Sequence, residues 1–208
     1  MQARRVPVIY LECREANHGR KGERMDIGVP IKNLGMFDVS ALTQCVLQQE
    51  EAVWFEFAHR QKTYDVHKDT SSIVLLFCDD AWPDISVSKQ VGWDVLSEAA
   101  VPLFDQVLAG RYPPGGKIIR AMAARLHPGG RITTHVDHRP SFHAGHRIHL
   151  PLVTNPGTRF MLDGRPVKMD VGKAYEINNQ KPHSVMNNGT ENRIHFIFDY
   201  IPPNQVEA

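Results

Sequence analysis

The stretch HRIHLPL at residues 146–152 has a near copy, NRIHFIF, at residues 192–198. Successive side chains along a β-strand point to opposite faces, so the Arg and His of each copy share one face and the apolar residues share the other. The polar pairs are Arg147 with His149 and Arg193 with His195. We therefore predict two strands that bury their apolar faces and turn the polar pairs either to water or to the lumen of a small barrel.

The two copies belong to a second half of the chain that is rich in predicted strands. After residue 116, short extended segments are separated by Gly, Pro and Asn, a pattern typical of a sandwich or a barrel. We expect a mainly β fold with flanking helices (α+β) and a single domain over residues 1–208. Helical support should lie mainly in residues 1–115, and the β core should occupy residues 116–202.

The first half of the chain is predicted to hold two helices and two strands. One helical pattern begins at Ser40 and another covers residues 92–110, where Pro102 predicts a kink or a later start. The predicted strands are residues 6–13 and 71–78, and the Gly-rich, charged residues 18–35 are predicted to form a loop.

The composition is that of an ordinary soluble globular domain. Of the 208 residues, 42% are hydrophobic and 23% are charged, and the formal net charge is +1, so no overall field favours nucleic acid or a membrane surface. The longest apolar runs are far shorter than the ~20 residues of a membrane span. The N-terminus lacks a secretory signal pattern and the three scattered cysteines indicate reduced thiols, so we expect a cytoplasmic protein.

A candidate metal site begins at the His135-Val136-Asp137 sequence. On a strand, positions i and i+2 point the same way, so an imidazole and a carboxylate can share one cation. His183, 48 residues further on and just before another predicted strand, is the best candidate for a third ligand. Two histidines and one carboxylate form the facial triad of non-haem Fe(II) oxygenases, although zinc also accepts these ligands.

Arg193 adds a feature that a bare metal site does not need. It follows His183 by ten residues, a spacing that a strand, a turn and a returning strand can span. Its guanidinium could clamp one end of a dicarboxylate while the other end chelates the metal. 2-Oxoglutarate is such a dicarboxylate, and its 2-oxo acid end would leave one coordination position for O2.

Several motifs together resemble one family of enzymes. The segments HVD, RIHLPLVTN, GKAYEINNQKPHSVMNNG and RIHFIFDY are similar to the aspartyl/asparaginyl β-hydroxylase family of Fe(II)/2-oxoglutarate-dependent oxygenases, to which the bacterial proline cis-hydroxylases are related. The resemblance covers roughly residues 115 to 200 and implies a double-stranded β-helix (jelly roll, cupin-like). It also implies site roles: iron ligation by His135, Asp137 and His183, the distal carboxylate of 2-oxoglutarate on Arg193, and its metal-binding end near Arg147 and His149.

Two departures from the family pattern bear on the substrate. The animal enzymes lack the carboxylate ligand, so Asp137 places this chain nearer the bacterial branch that acts on small molecules. Those enzymes also carry a serine near the distal carboxylate, where this chain has Ala124, so that hydroxyl would have to come from another residue. We expect hydroxylation of a free amino acid or an amino-acid derivative, with a peptidyl Asp, Asn or Pro as the alternative.

The rival of another class is a cupin-like metal-binding protein without oxygenase activity, either a sensor or a zinc hydrolase. Arg193 argues against it, because neither needs a dicarboxylate clamp beside its metal. A last expectation concerns the remaining histidines of the HRPSFHAGH segment, His138, His143 and His146. Pro140 and Gly145 and the scarcity of apolar anchors predict a flexible lid there rather than metal ligands.

Overall fold

Two facing antiparallel sheets form the body of this computed structural model, which describes residues 26–56, 68–79 and 81–203. The helices are α1 (Ser40–Leu47), α2 (Glu51–Phe55), α3 (Val91–Leu108) and α4 (Pro140–Ala144). The strands are β1 (Ile31–Met36), β2 (Thr70–Cys78), β3 (Val87–Lys89), β4 (Lys117–Leu126), β5 (Arg131–His135), β6 (His146–Val153), β7 (Thr158–Leu162), β8 (Arg165–Val167), β9 (Lys173–Ile177), β10 (His183–Asn187) and β11 (Arg193–Ile201).

The strand order is that of a jelly roll. The larger sheet has the order β1-β9-β6-β11-β4-β2-β3 and the smaller sheet has the order β5-β10-β7-β8. Strands β4 to β11 thus form two four-stranded halves of a double-stranded β-helix, and β1, β2 and β3 extend the larger half. The predicted mainly β fold with flanking helices is confirmed.

The outer face of the larger sheet carries the main hydrophobic core. Helices α1 and α3 cover this face, and Phe104 of α3 lies 5.5 Å from Phe196 and 5.0 Å from Phe198, measured between ring centroids. The predicted apolar faces of β6 and β11 are confirmed, because their apolar residues lie in this core: Ile148, Leu150, Leu152, Ile194, Phe196 and Phe198. The Arg-x-His faces are consequently turned into the space between the sheets.

Three local predictions differ from the structure. Residues 31–35 were predicted to belong to a loop but lie in β1, because they pair with β9 and extend the larger sheet. Helix α3 continues through Pro102 without beginning there. A proline inside a helix costs roughly 3 kcal/mol. The burial of seven residues of α3 offsets that cost. The strand predicted at residues 6–13 lies outside the described residues.

The helix predicted from Ser40 is divided into two. Helix α1 begins at Ser40, where the Asp38 carboxylate accepts from both the backbone N–H and the hydroxyl of that residue, and α2 follows after a short break. Among the described helices, none combines the length and the apolar composition that crossing a lipid bilayer needs.

Candidate active site

Two neighbouring strands of the smaller sheet bring the candidate metal ligands together. His135 ends β5 and His183 begins β10, and the two residues are direct partners in the antiparallel register. Asp137 follows β5, and its backbone N–H donates to the carbonyl of Asn179 at 3.2 Å. One ligand atom from each of His135, Asp137 and His183 lies within 4.8 Å of the others. A divalent cation can be reached by all three.

Backbone carbonyls orient both imidazoles. Nδ1 of His135 lies 2.8 Å from the carbonyl oxygen of Thr133, and Nδ1 of His183 lies 2.9 Å from that of Lys181. A ring that donates its Nδ1–H to a carbonyl keeps the lone pair on Nε2, which is the form that binds metals. Burial lowers the pKa of His183 below its usual value, which also favours the neutral ligand form.

Arg147 is bound to two carboxylates. Its Nη1 donates to Asp137 Oδ2 at 2.7 Å, while Nε and Nη2 donate to the two oxygens of Asp199, both at 2.8 Å. The resemblance implied that Arg147 faces the metal-binding end of the cosubstrate. Its side chain does line the pocket beside the triad, but its hydrogen bonds show that it positions the Asp137 carboxylate.

Asp199 is a residue of the site that the sequence analysis missed. It is 2% exposed and also pairs with Arg120, whose Nη2 in turn donates to the Ser141 hydroxyl of α4 at 2.8 Å. Burial works to raise the pKa of Asp199, but Arg147 and Arg120 outweigh it and hold the pKa below its usual value. Strand alternation puts Asp199 on the same face as Arg193 and His195, and this alternation could have identified it from the sequence as a site residue.

Arg193 is a deeply buried cation. It is 3% exposed, and no carboxylate of the described residues pairs with it. Its Nη2 lies 2.6 Å from Nδ1 of His195, and its Nε has no hydrogen-bond partner among the described residues. Burial lowers its pKa to about 9. Because an unpaired buried charge is costly, this arrangement is suited to an anionic ligand.

Two neutral histidines lie beside Arg193. Burial, and then the charge of Arg193, hold the pKa values of His149 and His195 well below their usual range. The Nδ1 atoms of the two rings are 3.4 Å apart, and Nε2 of His149 is buried without a partner among the described residues. His195 could have been either a barrel residue or a ligand contact, and the structure makes it the partner of the Arg193 guanidinium.

One pocket joins the two histidine ligands to Arg193. It has a volume of about 60 Å³, and its lining includes His135, His183, His149 and Arg193. A wider cavity of about 690 Å³ is also lined in part by Arg193 and His195. The donor set fits a divalent metal, and the Arg193 guanidinium, which has no carboxylate partner among the described residues, fits the far carboxylate of a metal-chelating dicarboxylate.

The segment predicted to be a flexible lid is built differently. His138 is exposed and His143 lies in α4, but His146 is the first residue of β6, where its Nδ1 contacts the buried carboxylate of Glu176. The Phe142 ring of α4 lies against two guanidinium groups, 4.1 Å from that of Arg120 and 4.4 Å from that of Arg147. The lid prediction is therefore wrong for His146. Helix α4 packs against Arg120 and Arg147, the two arginines that pair with Asp199.

Comparison with known proteins agrees with this geometry. A family model described as Aspartyl/Asparaginyl beta-hydroxylase matches residues 43–203. No curated protein matches the chain. A prolyl hydroxylase from Trichoplax adhaerens, in complex with a hypoxia inducible factor peptide, has a TM-score of 0.53 at 15% identity, over 85% of this chain and 86% of that one.

The nickel complex of the non-heme monooxygenase ThoJ has a TM-score of 0.52 at 14% identity, over 84% of this chain and 74% of that one. At these identities the two structures indicate a shared fold. The family match covers most of the chain and includes every candidate site residue. The chain therefore belongs to the aspartyl/asparaginyl β-hydroxylase family and is an Fe(II)/2-oxoglutarate-dependent hydroxylase, with O2 as its second cosubstrate.

Proposed function

We propose that this enzyme hydroxylates an unactivated C–H bond of a free amino acid or an amino-acid derivative. In this proposal His135, Asp137 and His183 hold the iron, and Arg193 holds the distal carboxylate of 2-oxoglutarate. The observation that carries it is the buried guanidinium of Arg193, which has no carboxylate partner among the described residues and lines the pocket that also includes the two histidine ligands. A metal site that acted as a sensor or a zinc hydrolase would have no use for that group.

The chain's own residues supply positioning and electrostatics. Bound Fe(II), with 2-oxoglutarate and O2, supplies the oxidising chemistry, in which 2-oxoglutarate is converted to succinate and CO2. Arg147 holds one oxygen of Asp137, which leaves the other oxygen for the metal. His149 lines the same pocket as the histidine ligands and Arg193, and its lowered pKa keeps the imidazole neutral. A neutral imidazole can form a hydrogen bond with the cosubstrate, while Arg193 remains the positive charge that binds its distal carboxylate.

The preference for a small substrate rests on Asp137. A complete two-histidine, one-carboxylate set supports the proposal that the substrate is a free amino acid, because the carboxylate ligand resembles the bacterial branch of the family. Cys45 and Cys78 are not joined in a disulfide, which fits the reducing cytoplasm, the compartment we propose. A peptidyl Asp, Asn or Pro is the alternative substrate, and the experiment below separates it from a free amino acid.

The test is a screen of free amino acids and short capped peptides for substrate-stimulated formation of succinate. We expect at least one free amino acid or derivative to raise succinate formation above the uncoupled rate and to yield a product heavier by one oxygen. His135→Ala protein serves as the matched control and should form no succinate. Stimulation by capped peptides alone would move the assignment to a peptidyl hydroxylase. Failure of the anaerobic Fe(II) protein to bind 2-oxoglutarate would overturn the proposed function itself.

A further inference from the structure

The Phe142 side chain of α4 packs on charged groups rather than in the apolar core. Its ring centroid lies 4.1 Å from the guanidinium carbon of Arg120 and 4.4 Å from that of Arg147. None of the three hydrophobic clusters formed by the described residues includes Phe142. A large apolar side chain usually stabilises a fold by joining such a cluster. The place of this ring therefore calls for another explanation.

The two arginines beside the ring share one counter-ion. Nη2 of Arg147 and Nη1 of Arg120 lie 2.8 Å and 3.4 Å from the same oxygen of Asp199, Oδ2. Two cations brought this close repel each other. A guanidinium over an aromatic ring is attracted by the negative π face, and most strongly where water is excluded. Because the π face takes up no hydrogen-bond donor in this arrangement, Phe142 stabilises both cations without competing with the carboxylates.

The backbone of Phe142 is bound to the segment that precedes the ligand His183. Its carbonyl accepts from Nδ2 of Asn179 at 3.0 Å and from Nε2 of Gln180 at 3.4 Å. The carbonyl of Asn179 in turn accepts from the backbone N–H of Asp137 at 3.2 Å. The backbone that carries the ring is therefore fixed to the two segments that carry these metal ligands.

A metal at the triad would make this support more important. Asp137 would then share its negative charge with the metal, and the positive charge of the metal would repel the Arg147 guanidinium. We propose that Phe142 is a positioning residue of the metal site. Its π face holds Arg147 in place against that repulsion, and Arg147 keeps the Asp137 carboxylate turned towards the metal. This inference rests on the proposed function, because it requires a metal at the triad.

The experiment separates the π face of the ring from its apolar character. Phe142→Leu keeps an apolar side chain but removes the π face, whereas Phe142→Tyr keeps the π face. Calorimetric titration with Mn(II) measures metal affinity without turnover. Phe142→Leu should bind Mn(II) roughly three- to tenfold more weakly than the wild type, and Phe142→Tyr should bind as the wild type does. The matched control is Phe37→Leu, which should leave the affinity unchanged, because the Phe37 ring lies 5.1 Å from the guanidinium carbon of Arg111, outside the candidate site.

A double-mutant cycle tests whether Phe142 acts through Arg147. In the Arg147→Gln background, Phe142→Leu should cause no further loss, because the guanidinium that orients Asp137 is gone. Wild-type affinity in Phe142→Leu, an equal loss in Phe142→Tyr, or the same loss in both backgrounds would overturn the role of Phe142. Circular dichroism checks that each variant is folded, and Phe142→Met replaces Phe142→Leu if the latter is not. If His135→Ala binds Mn(II) as tightly as the wild type, the proposed function fails instead, and the two failures are distinguishable.

Discussion

Arg147 lies 2.7 Å from Asp137 and thereby holds the only carboxylate of the candidate triad by one of its two oxygens. The other two donors of Arg147 are bound to Asp199, a buried carboxylate at its strand partner position on β11. Although burial opposes it, these two carboxylates raise the pKa of Arg147, so the guanidinium is a fixed positive charge. The orientation of the Asp137 carboxylate is thus fixed by Arg147, which is itself held by Asp199.

Replacing Arg147 should weaken metal binding although the residue touches no metal. In Arg147→Gln, Asp137 loses its bound partner and samples other orientations, and the loss of a partner that orients a ligand typically costs 10- to 100-fold in metal affinity. Anaerobic titration with Fe(II) measures this, and the exposed Arg165→Gln of β8 is the control. Unchanged affinity in Arg147→Gln would show that Asp137 is oriented without it.

The triad itself is tested by single alanine substitutions. His135→Ala or His183→Ala should abolish stoichiometric Fe(II) binding, because each removes one of three ligand positions, while the far-UV circular dichroism stays native. Burial lowers the pKa of His183, so proton competition for this ligand should begin only below the usual imidazole range near 6.5. Full iron affinity in either variant at neutral pH would contradict the assignment.

Arg193 should govern affinity for the cosubstrate but not for the metal. Arg193→Ala removes a buried charge-assisted clamp, and the expected loss of roughly 3–5 kcal/mol corresponds to a hundredfold or more in the 2-oxoglutarate dissociation constant. Arg193→Lys should recover only part of the affinity, because an ammonium lacks the planar fork. Binding is measured by anaerobic titration of the Fe(II) protein, with the Fe(II) affinity as the internal control. A dissociation constant equal to that of the wild type would place the clamp elsewhere.

Asp199 should contribute stability that depends on pH. Its pKa is depressed in the folded state, so its contribution is present above the unfolded pKa and is lost as the pH falls through the folded pKa. Asp199→Asn leaves Arg147 and Arg120 without their shared counter-ion and should lower the free energy of unfolding at pH 7 by about 3 kcal/mol or more. Urea unfolding should show a smaller loss of stability for Asp199→Asn at pH 3 than at pH 7. The control, substitution of the exposed Asp84 by Asn, should leave the free energy of unfolding unchanged at both pH values.

The histidines of the segment before β6 should separate into two groups. Gln at His138 and His143 should leave metal and 2-oxoglutarate binding nearly intact, because neither side chain belongs to the triad or to the Arg193 cavity. His146→Gln should lower the melting temperature, because the buried Glu176 carboxylate then keeps Tyr112 but loses its imidazole partner. Loss of iron in the His138 and His143 double variant would mean that this segment supplies a ligand.

The sequence by itself determined the local features of this protein. Alternation along β6 and β11 assigned Ile148 and Phe196 to the core and Arg147 and Arg193 to the opposite face, because the side-chain period of a strand is a property of the backbone alone. The spacing of His135 and Asp137, with His183 before a later strand, was likewise readable as a candidate metal set. Turn residues between short apolar segments indicated the mainly β fold before any pairing was known.

Strand pairing and burial were decided only by the tertiary structure. Residues 31–35 have a loop-like composition and lie in β1 because they pair with the edge of β9. Asp199 reaches Arg147 because β6 and β11 pair in that register. That Arg193 has no carboxylate partner among the described residues depends on which side chains the two sheets enclose. These relationships join residues distant in the chain, and no local pattern encodes which strand edges meet.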